Sequence, residues 1–184
     1  MRVIAGIAKG QKLLNFKNPL TKPTENRIKE AMFSIIQFKI SNTKVLDLFA
    51  GTGQIAIEFL SRGADFCTLV DKSLQAHKIQ KENLKLTGFL NKSEIILNDC
   101  IKFLKKTKDR FDFIFIDPPY NSNLILPTLQ LAQTKLKTGS LIICEHDSKI
   151  KMPLDFYHIK LQKQYSYGKI KLTFYCEKES DKNE

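Results

Sequence analysis

The chain has 184 residues and a formal charge of +11, from 30 lysines and arginines against 19 aspartates and glutamates. That length suits one catalytic domain with a small appendage, and the charge favours a polyanionic partner such as nucleic acid, even though only Arg2, Arg27, Arg62 and Arg110 are arginines. Cys67, Cys100, Cys144 and Cys176 lie too far apart for a CxxC metal pattern or a disulfide framework, and the apolar run Val3 to Ala8, broken by Gly6, is too short for a secretion signal or a membrane span. A cytoplasmic, monomeric protein with buried reduced thiols, no metal and no membrane contact is expected.

Residues 1–41 form the first expected unit. Gly6 and Gly10 punctuate an extended basic stretch, and a helix follows Pro23, with Thr24 able to cap it and Ile28, Ala31, Met32 and Ile35 forming one apolar stripe. From Val45 onward short apolar runs alternate with helical patterns, the mark of a parallel sheet covered on both faces. Strands are expected at Val45 to Phe49, Phe66 to Asp71, Ser93 to Leu97, Phe111 to Asp117 and Leu141 to Glu145. Helices are expected at Gln54 to Arg62, Leu74 to Thr87, Cys100 to Lys106 and Leu124 to Leu136. Two last runs, Phe156 to Gln162 and Ile170 to Cys176, are joined by a loop that is too short for a crossover, so the sheet should end in an antiparallel hairpin. This second unit, 42–178, is an α/β Rossmann-like domain, and the polar tail 179–184 should fray.

Val45 to Gly53, VLDLFAGTG, sets a glycine turn between the first strand and a helix, where the backbone can approach a ligand closely and helix amides can point at it. Gly51, Gly53 and Ala56 also satisfy the G-x-G-x-x-G/A dinucleotide fingerprint, with Asp71 about 20 residues on. Asp47 argues for a different ligand, since a carboxylate beside the turn would repel a pyrophosphate and suits the cationic S-adenosylmethionine. Asp71 suits paired ribose hydroxyls. Asp99 can accept from an adenine amino group, cap the helix beginning at Cys100, or do both. Phe49 and Phe103 read as core residues or as adenine-pocket walls.

Asp117, Pro118, Pro119 and Tyr120 follow the apolar strand FDFIFI, and the two prolines fix a stiff turn. An exocyclic amine is a poor nucleophile because its lone pair is delocalised into the ring. The Asp117 carboxylate and the Pro118 carbonyl can hold its two hydrogens and aim the lone pair at a sulfonium methyl, while Tyr120 stacks on a flipped base.

With these motifs in place, nearly the whole chain resembles the RsmD family of bacterial small-subunit (16S) rRNA guanine-N2 methyltransferases. The likeness is carried by MRVIAG with Gly10 to Leu13, KPTENRIKEAMF from Lys22 to Phe33, DLFAGTG from Asp47, DPPY from Asp117, and Tyr167 with Gly168. It implies a seven-stranded class I methyltransferase sheet with a reversed last strand, S-adenosylmethionine as methyl donor with S-adenosylhomocysteine as product, and 16S rRNA in the small subunit or its assembly intermediate as partner. The implied cofactor contacts are Asp47, Phe49, Ala50, Gly51 and Gly53 around the turn. Asp71, Lys72, Asp99, Cys100 and Asp117 complete them. Arg2, Lys9, Lys12, Lys22, Thr24, Arg27 and Tyr120 are the candidate RNA contacts. Lys22 and Asn26 depart from the family, which tends to carry Arg and Asp there. The same chemistry would also serve a DNA adenine N6 or protein glutamine methyltransferase, and a non-catalytic RNA-binding assembly factor would keep the scaffold. Between Asp71 and Asp117, however, there is no room for an inserted DNA reader, and the glycine turn and Asp117 are both intact. Neither His77, His146 nor His158 supplies the acid or base of an NAD oxidoreductase.

Overall fold

The computed structural model describes residues 1–16, 26–120 and 123–178. Thr24, expected to cap the first helix, lies outside them, as do Lys22, Pro23 and the tail 179–184. The first helix, α1 (Asn26–Ile36), buries Ile28, Lys29, Met32, Phe33 and Ile36. Its buried stripe is therefore turned from the expected one, because the bulky Phe33 rather than Ala31 meets the domain.

The central sheet is built from β1 (Lys44–Leu48), β2 (Phe66–Asp71), β3 (Ser93–Leu97), β4 (Phe111–Ile116), β5 (Leu136–Asp147), β6 (Asp155–Phe156), β7 (Ile159–Tyr167) and β8 (Ile170–Glu177). Their spatial order is β3-β2-β1-β4-β5-β8-β7-β6. The first five pair in parallel, and β8 and β7 then run antiparallel. Helices α2 (Gln54–Ser61), α3 (Leu74–Leu86), α4 (Cys100–Lys106) and α5 (Ile125–Ala132) supply the crossovers. The central strands are buried on both faces, as in β4, where Phe111, Phe113, Ile114, Phe115 and Ile116 are all buried, so they read as continuous apolar runs.

Several boundaries differ from expectation. The helix expected at Leu124 to Leu136 ends at Ala132, a 3-10 turn follows over Gln133–Lys135, and Leu136 already begins β5. The strand expected at Phe156 to Gln162 is broken after Phe156, where Tyr157 takes φ +50°, and resumes at Ile159. The two-residue β6 adds an eighth strand to the seven expected. β5 begins at Leu136 rather than Leu141, with a register shift opposite Phe111 and Phe113 that absorbs the polar residues Lys137 to Ser140. β7 runs on to Tyr167, which pairs with Ile170, so the hairpin loop is Gly168 and Lys169 alone rather than Tyr165 to Gly168. Gly168 there has φ +61°, the left-handed conformation that two-residue hairpins need.

The two faces of the sheet carry separate apolar clusters. One joins Val3, Leu13, Ile28, Met32 and Phe33 to Phe59 and Phe113, so the amino-terminal segment and α1 share a core with the sheet. Phe33, Phe59 and Phe113 form a chain of ring contacts at 4.9 and 5.3 Å. Docking of the first residues is polar as well: the amides of Ile4 and Ala5 donate to the Glu58 carboxylate at 2.8 and 3.0 Å. Gly6 makes this approach possible, because a Cβ there would lie 1.8 Å from the Ser61 carbonyl oxygen. Cys67, Cys100 and Cys144 are buried and Cys176 is half-buried, all as free thiols. Among the described residues no helix is long and apolar enough to cross a membrane.

Candidate active site

In an open parallel sheet, ligands bind beyond the carboxyl ends of the strands where the strand order reverses. Here that point lies between β1 and β4, because β1 has β2 on one side and β4 on the other. Leu48 pairs with Val70 and with Ile116, and Ile116 pairs in turn with Cys144. The register therefore brings the turn from Phe49 to Gly53, the strand end Asp71, the turn from Asp117 to Tyr120, and Glu145 to one edge.

The first turn is heavily braced. The amide of Gly51 donates to Asp71 Oδ2 at 2.9 Å, and the other Asp71 oxygen accepts from the Ser73 amide at 2.8 Å. Gln80 Nε2 donates to the Gly51 carbonyl at 3.0 Å, and Asn83 Nδ2 donates to the Thr52 carbonyl at 2.9 Å. Asn83 also holds the amino-terminal segment, its oxygen accepting from the Leu14 amide at 2.7 Å. Phe49 has φ +61°, a costly conformation for a residue with a Cβ. Its amide donates to Cys100 Sγ at 3.4 Å, which helps hold it there. Gly51 has φ +54°, and a Cβ on it would meet only the Phe49 carbonyl oxygen at 3.9 Å, so the face of the turn is open to a ligand.

Asp47 lies below this turn, 1% exposed. Its Oδ2 accepts from the Ala56 amide at 3.1 Å, satisfying one of the free amides at the start of α2. Burial pushes its carboxyl up to about 7, the Ala56 bond works against that, and the Asp71 charge adds to it. Asp99 caps α4, accepting from the Lys102 amide at 3.0 Å. Cys100 is buried, with its thiol pushed up to about 12 chiefly by burial. Lys72 is exposed beside Asp71, and Ala50 and Phe103 are buried.

The second turn is held differently. Asp117 is half-buried and Pro118 buried, while Pro119 and Tyr120 are exposed. The Tyr120 hydroxyl donates to Glu145 Oε1 at 3.2 Å. Desolvation, and then the charges of Glu145 and Asp47, hold the Asp117 carboxyl well above the usual carboxylate range. Three acids thus meet at this edge, an arrangement that favours a cationic ligand. Beside the turn opens a cavity of about 410 Å³, walled by Pro118, Pro119 and Tyr120, by Leu124 to Pro127 of the α5 segment, and by Glu145, His146 and Ile150.

His146, the histidine nearest this edge, is not available for proton transfer. Its Nδ1 lies 2.9 Å from the Asp147 carbonyl oxygen and so donates to it, and Nε2 accepts from the Thr173 hydroxyl at 2.8 Å. Arg2, Lys9, Lys12 and Arg27 are all exposed. Arg2 and Lys12 face each other in an antiparallel bridge, and Lys9 borders a groove of about 290 Å³ with Ile7, Gln11 and Leu86. Among the described residues no group of three or more His, Cys, Asp or Glu is placed to hold a metal ion.

Three residues at the site escape the sequence motifs. Gln80 and Asn83 are fully buried polar residues on the inner face of α3, where the helical stripe would otherwise call for apolar ones. Glu145, 1% exposed at the end of an apolar strand, gives the same signal.

The family model described as Conserved hypothetical protein 95 matches residues 1–176. The ribosomal RNA small subunit methyltransferase D of Buchnera aphidicola from Acyrthosiphon pisum is 39% identical over 80% of this chain and 78% of its own. The chain belongs to the RsmD family of methyltransferases. Its Escherichia coli relative of the same name is 26% identical over 95% of this chain and 89% of its own. The solved structure of Escherichia coli yhhF, which carries a methyltransferase designation, superposes with a TM-score of 0.88 at 25% identity, covering 98% of this chain and 99% of that one. The Rossmann-like class I methyltransferase fold expected from the sequence is the observed one.

Proposed function

We propose that this RsmD-family chain transfers a methyl group to the exocyclic N2 of a guanine in small-subunit ribosomal RNA, with S-adenosylmethionine as donor. The observation that carries the reading is the pairing of Leu48 with Ile116, which sets the glycine turn and the Asp117 turn side by side at the switch point. One turn is fitted to a nucleoside cofactor and the other to an amine acceptor. S-adenosylmethionine, when bound, supplies an electrophilic methyl on a sulfonium.

The residues fit such a cofactor. The open face of Gly51 admits a ligand against the backbone, Asp71 stands at the strand end for ribose hydroxyls, and the acids Asp47 and Asp117 meet a positive charge. Asp117 carries a raised proton affinity in the free protein, and a cation beside it favours its ionised, accepting form. Asp117 and the Pro118 carbonyl then accept hydrogen bonds from the two amine hydrogens and turn its lone pair towards the methyl group. The C–S bonding pair stays with the sulfur of S-adenosylhomocysteine, and the excess proton leaves the methylated nitrogen for Asp117 or water. Pro118 and Pro119 keep that carbonyl fixed. The exposed Tyr120 ring covers the base, and the basic segment with Arg2, Lys9, Lys12 and Arg27 contacts phosphates around it.

The test is transfer of labelled methyl from S-adenosylmethionine to small subunits lacking their own methylations, followed by nucleoside analysis. Label in N2-methylguanosine, lost in Asp117→Ala, supports the reading. Label only in another nucleoside or in protein overturns the substrate, and no label despite cofactor binding overturns the enzymatic role.

A further inference from the structure

We infer that Glu145 reads the acceptor base, accepting the ring N1–H that distinguishes guanine from purines with a bare N1. The inference rests on the reading above that a guanine N2 is the acceptor. Glu145 is next in chain to Cys144, whose partner Ile116 precedes Asp117, so the two acids stand beside each other on neighbouring strands. Glu145 forms part of the wall of the 410 Å³ cavity, together with Pro118 and Pro119, which directly follow Asp117 in the chain.

The chemistry of that wall is lopsided. Prolines and the leucine and isoleucine side chains of the α5 segment make it apolar, His146 has both ring nitrogens engaged, and Glu145 is the one acid among the described lining residues. A carboxylate on an apolar wall is costly unless N–H or O–H groups meet it. The Tyr120 hydroxyl is one of the groups that meet it. A carboxylate offers about four lone-pair positions, so holding Tyr120 is compatible with receiving a further donor. In guanine the N1–H adjoins the N2 amine. With that amine at Asp117 and the Pro118 carbonyl, the adjoining N1–H turns towards the acid of the next strand. A base with an unprotonated N1 would set its lone pair against the carboxylate. Glu145 thus also ties the stacking ring and the edge reading to one anchor.

The probe is 2,6-diaminopurine riboside, which keeps the N2 amine but has no hydrogen on N1. Small subunits assembled from rRNA with guanosine or diaminopurine at the methylated position are compared as acceptors. The wild-type chain should prefer guanosine by at least about 100-fold, as sites built around a hydrogen bond do. Glu145→Gln retains an oxygen for Tyr120 and adds an amide that can donate to a bare N1, so it should bring the preference within about tenfold. Its affinity for S-adenosylmethionine by calorimetry should fall by less than about tenfold, a loss common to both acceptors that leaves the ratio between them untouched. Glu145→Leu, which suits the apolar wall, should also lose the preference, and it serves if the Gln variant unfolds. Equal use of the two subunits by the wild-type chain overturns the inference. So does a variant that slows both substrates alike and leaves the preference intact. No transfer to guanosine subunits by the wild-type chain would instead sink the proposed acceptor.

Discussion

The two turns at the switch point do comparable work by opposite means. The turn after β1 is held by side chains from elsewhere: Asp71 from β2, Gln80 and Asn83 from α3, and Cys100 from α4 all bond its backbone. The turn after β4 carries its stiffness in its own covalent structure, through Pro118 and Pro119, and its tyrosine is held by Glu145. A turn that receives a flexible cofactor needs its amides and carbonyls fixed by neighbours, and the glycines that make it adaptable cannot do that alone. A turn that must aim one carbonyl at an amine gains more from prolines, which leave the cavity beside it open. Binding should therefore be distributed over many residues, and chemistry concentrated in few.

The largest effect expected from that division is at Asp117. Asp117→Ala should lower kcat by about 10² to 10³-fold, while the dissociation constant for S-adenosylmethionine, which loses one of the acids near its positive charge, rises by less than about tenfold. Single-turnover methyl transfer with calorimetry checks both. An equal loss of affinity and rate would mean that the second turn serves the cofactor as much as the acceptor, and the contrast would dissolve.

Asp47 comes next, and its effect is on stability. Its carboxyl sits at about 7 in the folded chain against roughly 3.9 when unfolded. Between those values the folded chain holds the extra proton, so this group's share of stability is greatest at acid pH and falls as pH rises towards 7. Above 7 the penalty is constant, at most a few kcal/mol. Asp47→Asn should flatten the fall between pH 4 and 7 in denaturant unfolding of the cofactor-free protein and weaken cofactor binding. An unchanged slope would show that Asp47 is not the proton-binding group.

Much of this site is legible in the sequence because its elements are punctuated locally. VLDLFAGTG and DPPY each announce a strand and its turn within a few residues, and the unbroken apolar run of FDFIFI marks a strand buried on both faces. The braces are not legible in that way. Gln80, Asn83 and Glu145 act across 25 or more residues of chain, and only their being polar in apolar positions hints at a role. The edges of the sheet are obscure for a related reason. IKLQKQYSY has a solvated face and a register shift between Leu161 and Lys163, so alternation fades along it. Phe33 displaced Ala31 from the inner face of α1 because an aromatic neighbour, Phe59, itself packed on Phe113, awaits it, which no helical period records.

Gly53→Ala probes the first turn at a middling scale. Gly53 has φ +78°, and a Cβ there would come within 2.9 Å of Leu69 Cδ2 on β2. The backbone cost alone is about 1–2 kcal/mol, and the buried leucine has to shift as well. A lower midpoint in thermal unfolding, together with weaker S-adenosylmethionine binding, is expected. Unaltered binding in a destabilised chain would show that the turn tolerates displacement, and that its braces serve the fold rather than the ligand.

Tyr120→Phe should have the smallest effect and is the most discriminating for the second turn. The variant keeps the ring that covers the base and removes the hydroxyl that donates to Glu145 at 3.2 Å. Since Tyr120 is 44% exposed, water can replace part of that bond, and a net loss of about 0.5–1.5 kcal/mol is expected. If the prolines hold the turn, this loss falls on KM for the RNA, through a freer ring, with kcat reduced by less than about threefold. If the Tyr120 bond instead fixes the Pro118 carbonyl, kcat falls and KM does not. Steady-state kinetics at saturating S-adenosylmethionine separates the two, because covalent stiffness survives loss of the hydroxyl and stiffness borrowed from Glu145 does not.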